Sequence, residues 1–151
     1  MKKITSAYSS FLIDTNIFLR TLIPENEKMH DECVALMCAI REGRVRAHTS
    51  PIVIAEIVWT LLSFYKLPKA KVLEAVQSIT QLRHLGIEAR ERVDTAFNLY
   101  ATHNVKFVDA LLASSAGVQN GTVCVVSYDR EFDRIPGVSR KEPGELVKSQ
   151  V

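Results

Sequence analysis

From Pro51 to Tyr65 the chain reads Pro-Ile-Val-Ile-Ala-Glu-Ile-Val-Trp-Thr-Leu-Leu-Ser-Phe-Tyr, and Glu56 is its only charge. Ser50-Pro51 marks a helix start there. A hydroxyl residue stands at the N-cap and a proline at the first helical position, where a missing N–H costs nothing. A helix that is apolar nearly all round must be covered on more than one face. The same run leaves Glu56 in apolar company, where a carboxylate is costly unless it is paired or bound to a metal.

Three more acids share that setting. Asp14 ends the apolar run Phe11-Leu12-Ile13, Asp109 is the only charge between Phe107 and Thr122, and Asp129 closes the run from Val123 to Tyr128. One lone carboxylate is an accident. Four of them, spread along the chain, imply one acidic cluster assembled by the fold, and an acidic cluster implies divalent cations.

The rest of the chain alternates strands with helices. Residues 10–13 read as a short buried strand, 15–23 as a helix stopped by Pro24, and 27–41 as a helix with Cys33, Met37 and Ile40 on one stripe, ending at Gly43. A short strand over 45–48 precedes the apolar helix, and Leu67-Pro68 breaks the chain after it. Residues 69–82 predict an amphipathic helix with Leu73, Val76 and Ile79 inward. Residues 88–102 predict another, and 107–119 a single helix rich in small residues, closed by Asn120-Gly121. Residues 122–126 are a β-branched run of the buried parallel type. Ile135-Pro136-Gly137 is a turn, 138–140 a last short strand, and the tail from Lys141 is polar and uninformative.

Strands separated by helices imply a parallel α/β sheet, and in such sheets ligands gather at the carboxyl ends of strands. Asp14 and Asp129 fall at two such ends. The helices carrying Glu56 and Asp109 need only start near that edge for their acids to join them.

At 151 residues and 47% hydrophobic content, one domain with a real core is expected over residues 10–147, with an extension over 1–9 and a tail over 148–151. The net charge of +2, from 19 basic and 17 acidic residues, argues against a polybasic nucleic-acid wrapper or a membrane-surface protein. It leaves room for a nuclease that handles phosphate through metal ions. Cys33, Cys38 and Cys124 form no CxxC pair and read as reduced core residues. His30, three residues before Cys33, has no second ligand pair after it, which argues against zinc. No apolar run reaches the roughly 18 residues of a membrane span, and the start MKKITSAYSSFLI lacks the apolar region of a secretory signal, so a cytoplasmic location is expected.

Magnesium and manganese prefer oxygen ligands. Two like charges about 4 Å apart repel by roughly 4 kcal/mol at an effective dielectric near 20, so four clustered carboxylates must be metal-loaded or partly protonated. A divalent cation there would stabilise the charge of an in-line attack on a phosphodiester, and no cysteine, serine triad or histidine base is required.

Asp14-Thr15-Asn16 after an apolar strand, Ile54-Ala55-Glu56-Ile57, Phe107-Val108-Asp109-Ala110-Leu111-Leu112-Ala113 and Ser127-Tyr128-Asp129-Arg130-Glu131-Phe132-Asp133 come in the order and rough spacing of PIN-domain ribonucleases. Over residues 10–147 the chain most resembles the VapC-type toxins of toxin–antitoxin pairs. The resemblance implies a Rossmann-like three-layer α/β fold with a central parallel sheet of four to five strands. It also implies a site for one or two Mg²⁺ or Mn²⁺ ions, cleavage of RNA, a VapB-like antitoxin and a homodimer. By motif position, Asp14, Glu56, Asp109 and Asp129 would be the metal-site acids. Asn16 and Ser127 would be polar helpers, and Asp133 a supporting acid or a ligand for a second ion. Ser127 stands where the family often has threonine.

Plainer roles exist for each residue. Asp14 or Asn16 could cap the following helix, Asp109 could complement a helix dipole, and Asp129 and Asp133 could be turn acids. Glu56 has the poorest structural excuse. Trp59, Leu62 and Tyr65 are either core or a homodimer interface. Arg20, Lys106, Arg130 and Arg134 are either solvated surface or contacts to RNA phosphate. Three other functions compete with a toxin nuclease: an aspartyl-phosphate phosphotransferase using Asp14, a non-catalytic PIN-like module binding RNA or protein, and a PIN nuclease of RNA processing. The first usually wants a second acid two residues on, where this chain has Asn16.

Overall fold

A computed structural model describes residues 8–148. Residues 1–7 of the expected extension and 149–151 of the expected tail lie outside the described residues. The chain forms two compact units, one ending at Glu88 and the other beginning at Ala89.

The first unit runs β1 (Phe11–Leu12), α1 (Thr15–Leu22), α2 (Glu27–Arg41), β2 (Ala47–Thr49), α3 (Pro51–Ser63), α4 (Lys69–Thr80) and β3 (Leu85–Ile87). The strands are parallel in the order β1-β2-β3, with Leu12 opposite His48 and His48 opposite Gly86. Local chemistry sets the helix ends. Asn26 caps α2 by accepting the Met29 N–H at 2.9 Å, and Gly43 follows that helix at φ +73°. Pro51 opens α3, but the Ser50 hydroxyl makes no cap hydrogen bond. Cys33, Met37 and Ile40 are buried together with Phe18, Ile54, Ile57, Leu61, Val72, Val76 and Ile79. On α4 Val72 joins Val76 and Ile79 in the core, and Leu73, expected inward, is only half-buried.

The expectation that α3 is covered on more than one face needs correction. Ile52 is 75% exposed, Trp59 63% and Phe64, just past the helix, 70%. Ile52, Glu56 and Trp59 recur at helical spacing, so Glu56 lies on the open face of α3 and is itself exposed.

The second unit runs α5 (Arg90–Thr102), α6 (Phe107–Ala113), α7 (Ala116–Gln119), β4 (Val125–Val126), a 3₁₀ turn (Arg130–Arg134), β5 (Arg140–Lys141) and α8 (Pro143–Lys148). Tyr100 of α5 meets Phe107 of α6 edge to face, ring centroids 5.6 Å apart. The single helix expected over 107–119 is broken. The Ser114 hydroxyl donates to the Leu111 carbonyl at 2.6 Å, competing with the helix for a backbone partner, and Ser115 turns extended. The close return of the chain after α7 depends on Gly117, since a Cβ there would stand 2.5 Å from Val123 Cγ2.

β4 and β5 are parallel, Val125 opposite Arg140. Among the described residues five strands thus form two parallel ladders, of three and of two, where one sheet of four to five was expected. Each hydrogen-bonded stretch is only two or three residues long. The parallel α/β class itself is as read. The cysteines are free, and burial pushes the Cys33 thiol up. No helix among the described residues is long and apolar enough to cross a membrane.

Candidate functional site

In the first unit Ile13 extends β1 by donating to the His48 carbonyl at 2.9 Å, and Asp14 follows at the strand's carboxyl end. Asp14 stands at the N-cap of α1, yet its side chain makes no cap hydrogen bond. Its Oδ2 accepts instead from Asn16 Nδ2, at 3.4 Å. Between them in sequence Thr15 points the other way. Its side chain is buried, at 4% exposure, and its hydroxyl donates to Glu56 Oε2 at 2.6 Å. Thr15 therefore ties the segment that carries Asp14 to the acid on α3. It was not among the expected site residues, though it stood in the middle of Asp14-Thr15-Asn16.

Both Asp14 and Glu56 are exposed. Neither therefore bears the desolvation cost expected of a lone carboxylate. An apolar helix sequence does not say which of its faces is open.

In the second unit Asp109 does bear that cost. Asp109 is half-buried in the first turn of α6, and its Oδ2 is a buried oxygen with no hydrogen-bond partner. Burial raises its carboxyl above the usual range. The charge of Asp129, a side-chain hydrogen bond with Glu131 and the charge of Glu131 add to the effect, and Lys106 opposes it. Asp109, Asp129 and Glu131 each offer an oxygen, all within 4.8 Å of one another, the one such group among the described residues.

Asp129 is tied on both sides. Its N–H donates to Ser127 Oγ at 2.9 Å, and its Oδ1 accepts the Glu131 N–H at 2.9 Å, capping the 3₁₀ turn. That backbone hydrogen bond holds its carboxyl below the usual range, helped by Lys106 and Arg134 against burial. Ser127 thus positions Asp129 through the backbone. Glu131 Oε2 accepts the Lys106 N–H at 3.0 Å, which locks the glutamate beside the start of α6. The Lys106 ammonium stands 3.5 Å from Asp129 Oδ2 and 3.7 Å from Glu131 Oε1, and these charges raise its pKa, Glu131 first.

Asp133 is engaged elsewhere. Arg140 grips it with two hydrogen bonds, of 3.0 and 3.2 Å, and donates to the Ser127 carbonyl at 2.7 Å. The arginine hydrogen bond holds Asp133 below the usual carboxylate range. The third acid beside Asp109 and Asp129 is Glu131, which stands inside the Ser127–Asp133 motif and was not among the expected site acids.

The residues of the second unit fit a hard divalent cation. The donors are all carboxylate oxygens, and Asp109 carries a buried oxygen, Oδ2, without a partner. The family model described as PIN domain matches residues 11–138. No curated protein matches the chain. Among solved structures, the crystal structure of VapBC2 from Rickettsia felis bound to a DNA fragment from their promoter is similar at 15% identity. The match covers 87% of this chain and 97% of that one, at a TM-score of 0.34.

Proposed function

The chain belongs to the PIN-domain family, whose members are generally nucleases using divalent metals, and we propose that it is a Mg²⁺- or Mn²⁺-dependent endoribonuclease. The observation that carries this reading is the carboxylate group of Asp109, Asp129 and Glu131 with its orphaned Asp109 oxygen. We assign Asp14, Glu56, Asp109 and Asp129 as the acids of the reaction, with Glu131 as a further ligand. Asn16 steadies Asp14, Thr15 fixes Glu56, and Ser127 sets the backbone of Asp129. Asp133 supports from outside, by holding the arginine that grips the Ser127 carbonyl. A bound divalent cation supplies Lewis-acid stabilisation of the charge that develops on phosphate oxygens during in-line attack.

The order and spacing of the four acidic motifs support the toxin of a type II toxin–antitoxin pair, with RNA as substrate and a VapB-like antitoxin as partner. The exposed Ile52, Trp59 and Phe64 support a protein partner, including a second copy in a homodimer. The test is cleavage of RNA with Mg²⁺ or Mn²⁺ by the wild type and by Asp14→Asn. Loss of cleavage in the variant is expected, and equal activity in both would sink the reading.

One observation favours a second reading, a non-catalytic module. Lys106 already neutralises part of the acid group. That reading predicts no stabilisation by metal. A melting temperature that climbs with Mn²⁺ in the wild type but not in Glu56→Gln counts against it.

A further inference from the structure

Lys106 addresses the acids of the second unit twice. Its backbone N–H holds Glu131 Oε2 at 3.0 Å, and its ammonium stands 3.5 Å from Asp129 Oδ2 and 3.7 Å from Glu131 Oε1. The two contacts differ in kind. The backbone bond is fixed by the start of α6. The side chain is 68% exposed and reaches the acids from solvent, so it can swing away with little loss of packing. Two other cations of the second unit are committed. Arg134 donates to the Asn104 carbonyl at 2.7 Å, and Arg140 is held by Asp133 and the Ser127 carbonyl. The ammonium lies against two of the three carboxylates whose oxygens are within 4.8 Å of one another, while Asp109 Oδ2 stays without a partner. A monovalent group therefore lies against two of the three acids that would hold a divalent cation.

We propose that Lys106 is an exchangeable counter-cation: its ammonium neutralises Asp129 and Glu131 until a divalent cation takes those oxygens, and it thereby sets how tightly the site holds the ion. The proposal rests on reading these acids as a metal centre. It gives the lysine a regulatory role that is separate from contact with substrate. A divalent ion must displace the ammonium and then tolerate it a few ångströms away, so binding is weaker than the carboxylates alone would give. Glu131 stays oriented throughout, because its other oxygen is held by the Lys106 backbone.

The test is direct Mn²⁺ binding to the full chain without RNA, read from the electron paramagnetic resonance signal of the free ion at fixed ionic strength. Lys106→Met and Lys106→Gln are expected to bind Mn²⁺ several-fold to about tenfold more tightly than the wild type, as removal of one like charge near the ion implies. Lys106→Arg, which keeps the charge, is expected to stay near the wild type, and Asp129→Asn to bind more weakly. Equal or weaker binding by Lys106→Met and Lys106→Gln, with the wild type still binding, would overturn the counter-cation role and leave the metal centre standing. Absence of binding in the wild type would overturn the metal centre, and the role of Lys106 with it.

Discussion

Thr15→Val separates positioning from stability. The substitution keeps the branched shape of a side chain that is only 4% exposed and removes the hydroxyl that donates to Glu56 Oε2 at 2.6 Å. A hydrogen bond to a charged group contributes roughly 1.5–3 kcal/mol when its loss strands the acceptor. Glu56 is not stranded, because it lies on the open face of α3 and recruits water in place of the threonine. The net cost falls to about 1 kcal/mol, which for a chain of this size lowers Tm by about 2–4 °C. Catalysis suffers more. A glutamate released from its tether samples rotamers that no longer present it to the reaction, and small misplacements of a positioned group cost on the order of tenfold to a hundredfold. Thr15→Ser is the converse control. It keeps the donor and loses a buried methyl worth about 0.8 kcal/mol, so it should destabilise comparably and cleave RNA nearly as the wild type does. Thermal melts and single-turnover cleavage on both variants check the pair. Cleavage by Thr15→Val within twofold of the wild type would refute the positioning argument.

Asp109→Asn should raise Tm in metal-free buffer at neutral pH and abolish any rise on adding Mn²⁺. Burial lifts the Asp109 carboxyl in the folded state, so its contribution is most favourable below its unfolded pKa and is lost as pH climbs through the raised folded value. The Tm advantage of the variant should therefore grow from about pH 4 upward, and a constant or shrinking difference would contradict it. Asp133 has the opposite sign, since Arg140 lowers its pKa. The stability it contributes is present above its unfolded value and is lost as pH falls through the folded one. Arg140→Ala should flatten that acid limb in a pH series of melts and lower Mn²⁺ affinity by loosening the Ser127 carbonyl. Gly117→Ala should cost about 1–3 kcal/mol by overpacking against Val123, and Val123→Ala should recover most of it in a double-mutant cycle.

The helices of the first unit were legible because punctuation and periodicity agree there. Pro24, Gly43, Pro51 and Pro68 mark boundaries, and the buried stripe of α2 falls where its spacing places it. β3 was not legible. Leu85-Gly86-Ile87 is too short to show alternation, and its glycine reads as a break. Pairing with β2 makes it a strand, and Gly86 leaves room beside His48, whose Cβ would lie 3.1 Å from an added one. α8 was hidden in a polar tail, although Pro143 at the first helical position and Glu145 reaching back to the Glu142 N–H at 2.7 Å form half of a capping box.

The candidate site was legible by residue and less so by environment. Isolation among apolar neighbours in sequence held for Asp109, which the fold half-buries. It misjudged Glu56, whose apolar neighbours leave its own face of the helix open. Glu131 escaped notice for the complementary reason. Charged residues stand close to it in sequence, Asp129, Arg130 and Asp133, so it is no lone acid, and a tertiary bond to the Lys106 N–H brings it in.

The pairing of β4 with β5 bears on where this protein can be cut. The family match ends at residue 138, yet Arg140 and Lys141 supply the ladder partner of Val125 and Val126. Arg140 also holds the Ser127 carbonyl two residues before Asp129. A fragment trimmed to the family boundary would keep every acid of the proposed reaction and discard the fastening that keeps one of them in place. An expression boundary should therefore fall after Lys148, the end of α8, and inactivity of a shorter piece would say nothing about the chemistry of its acids.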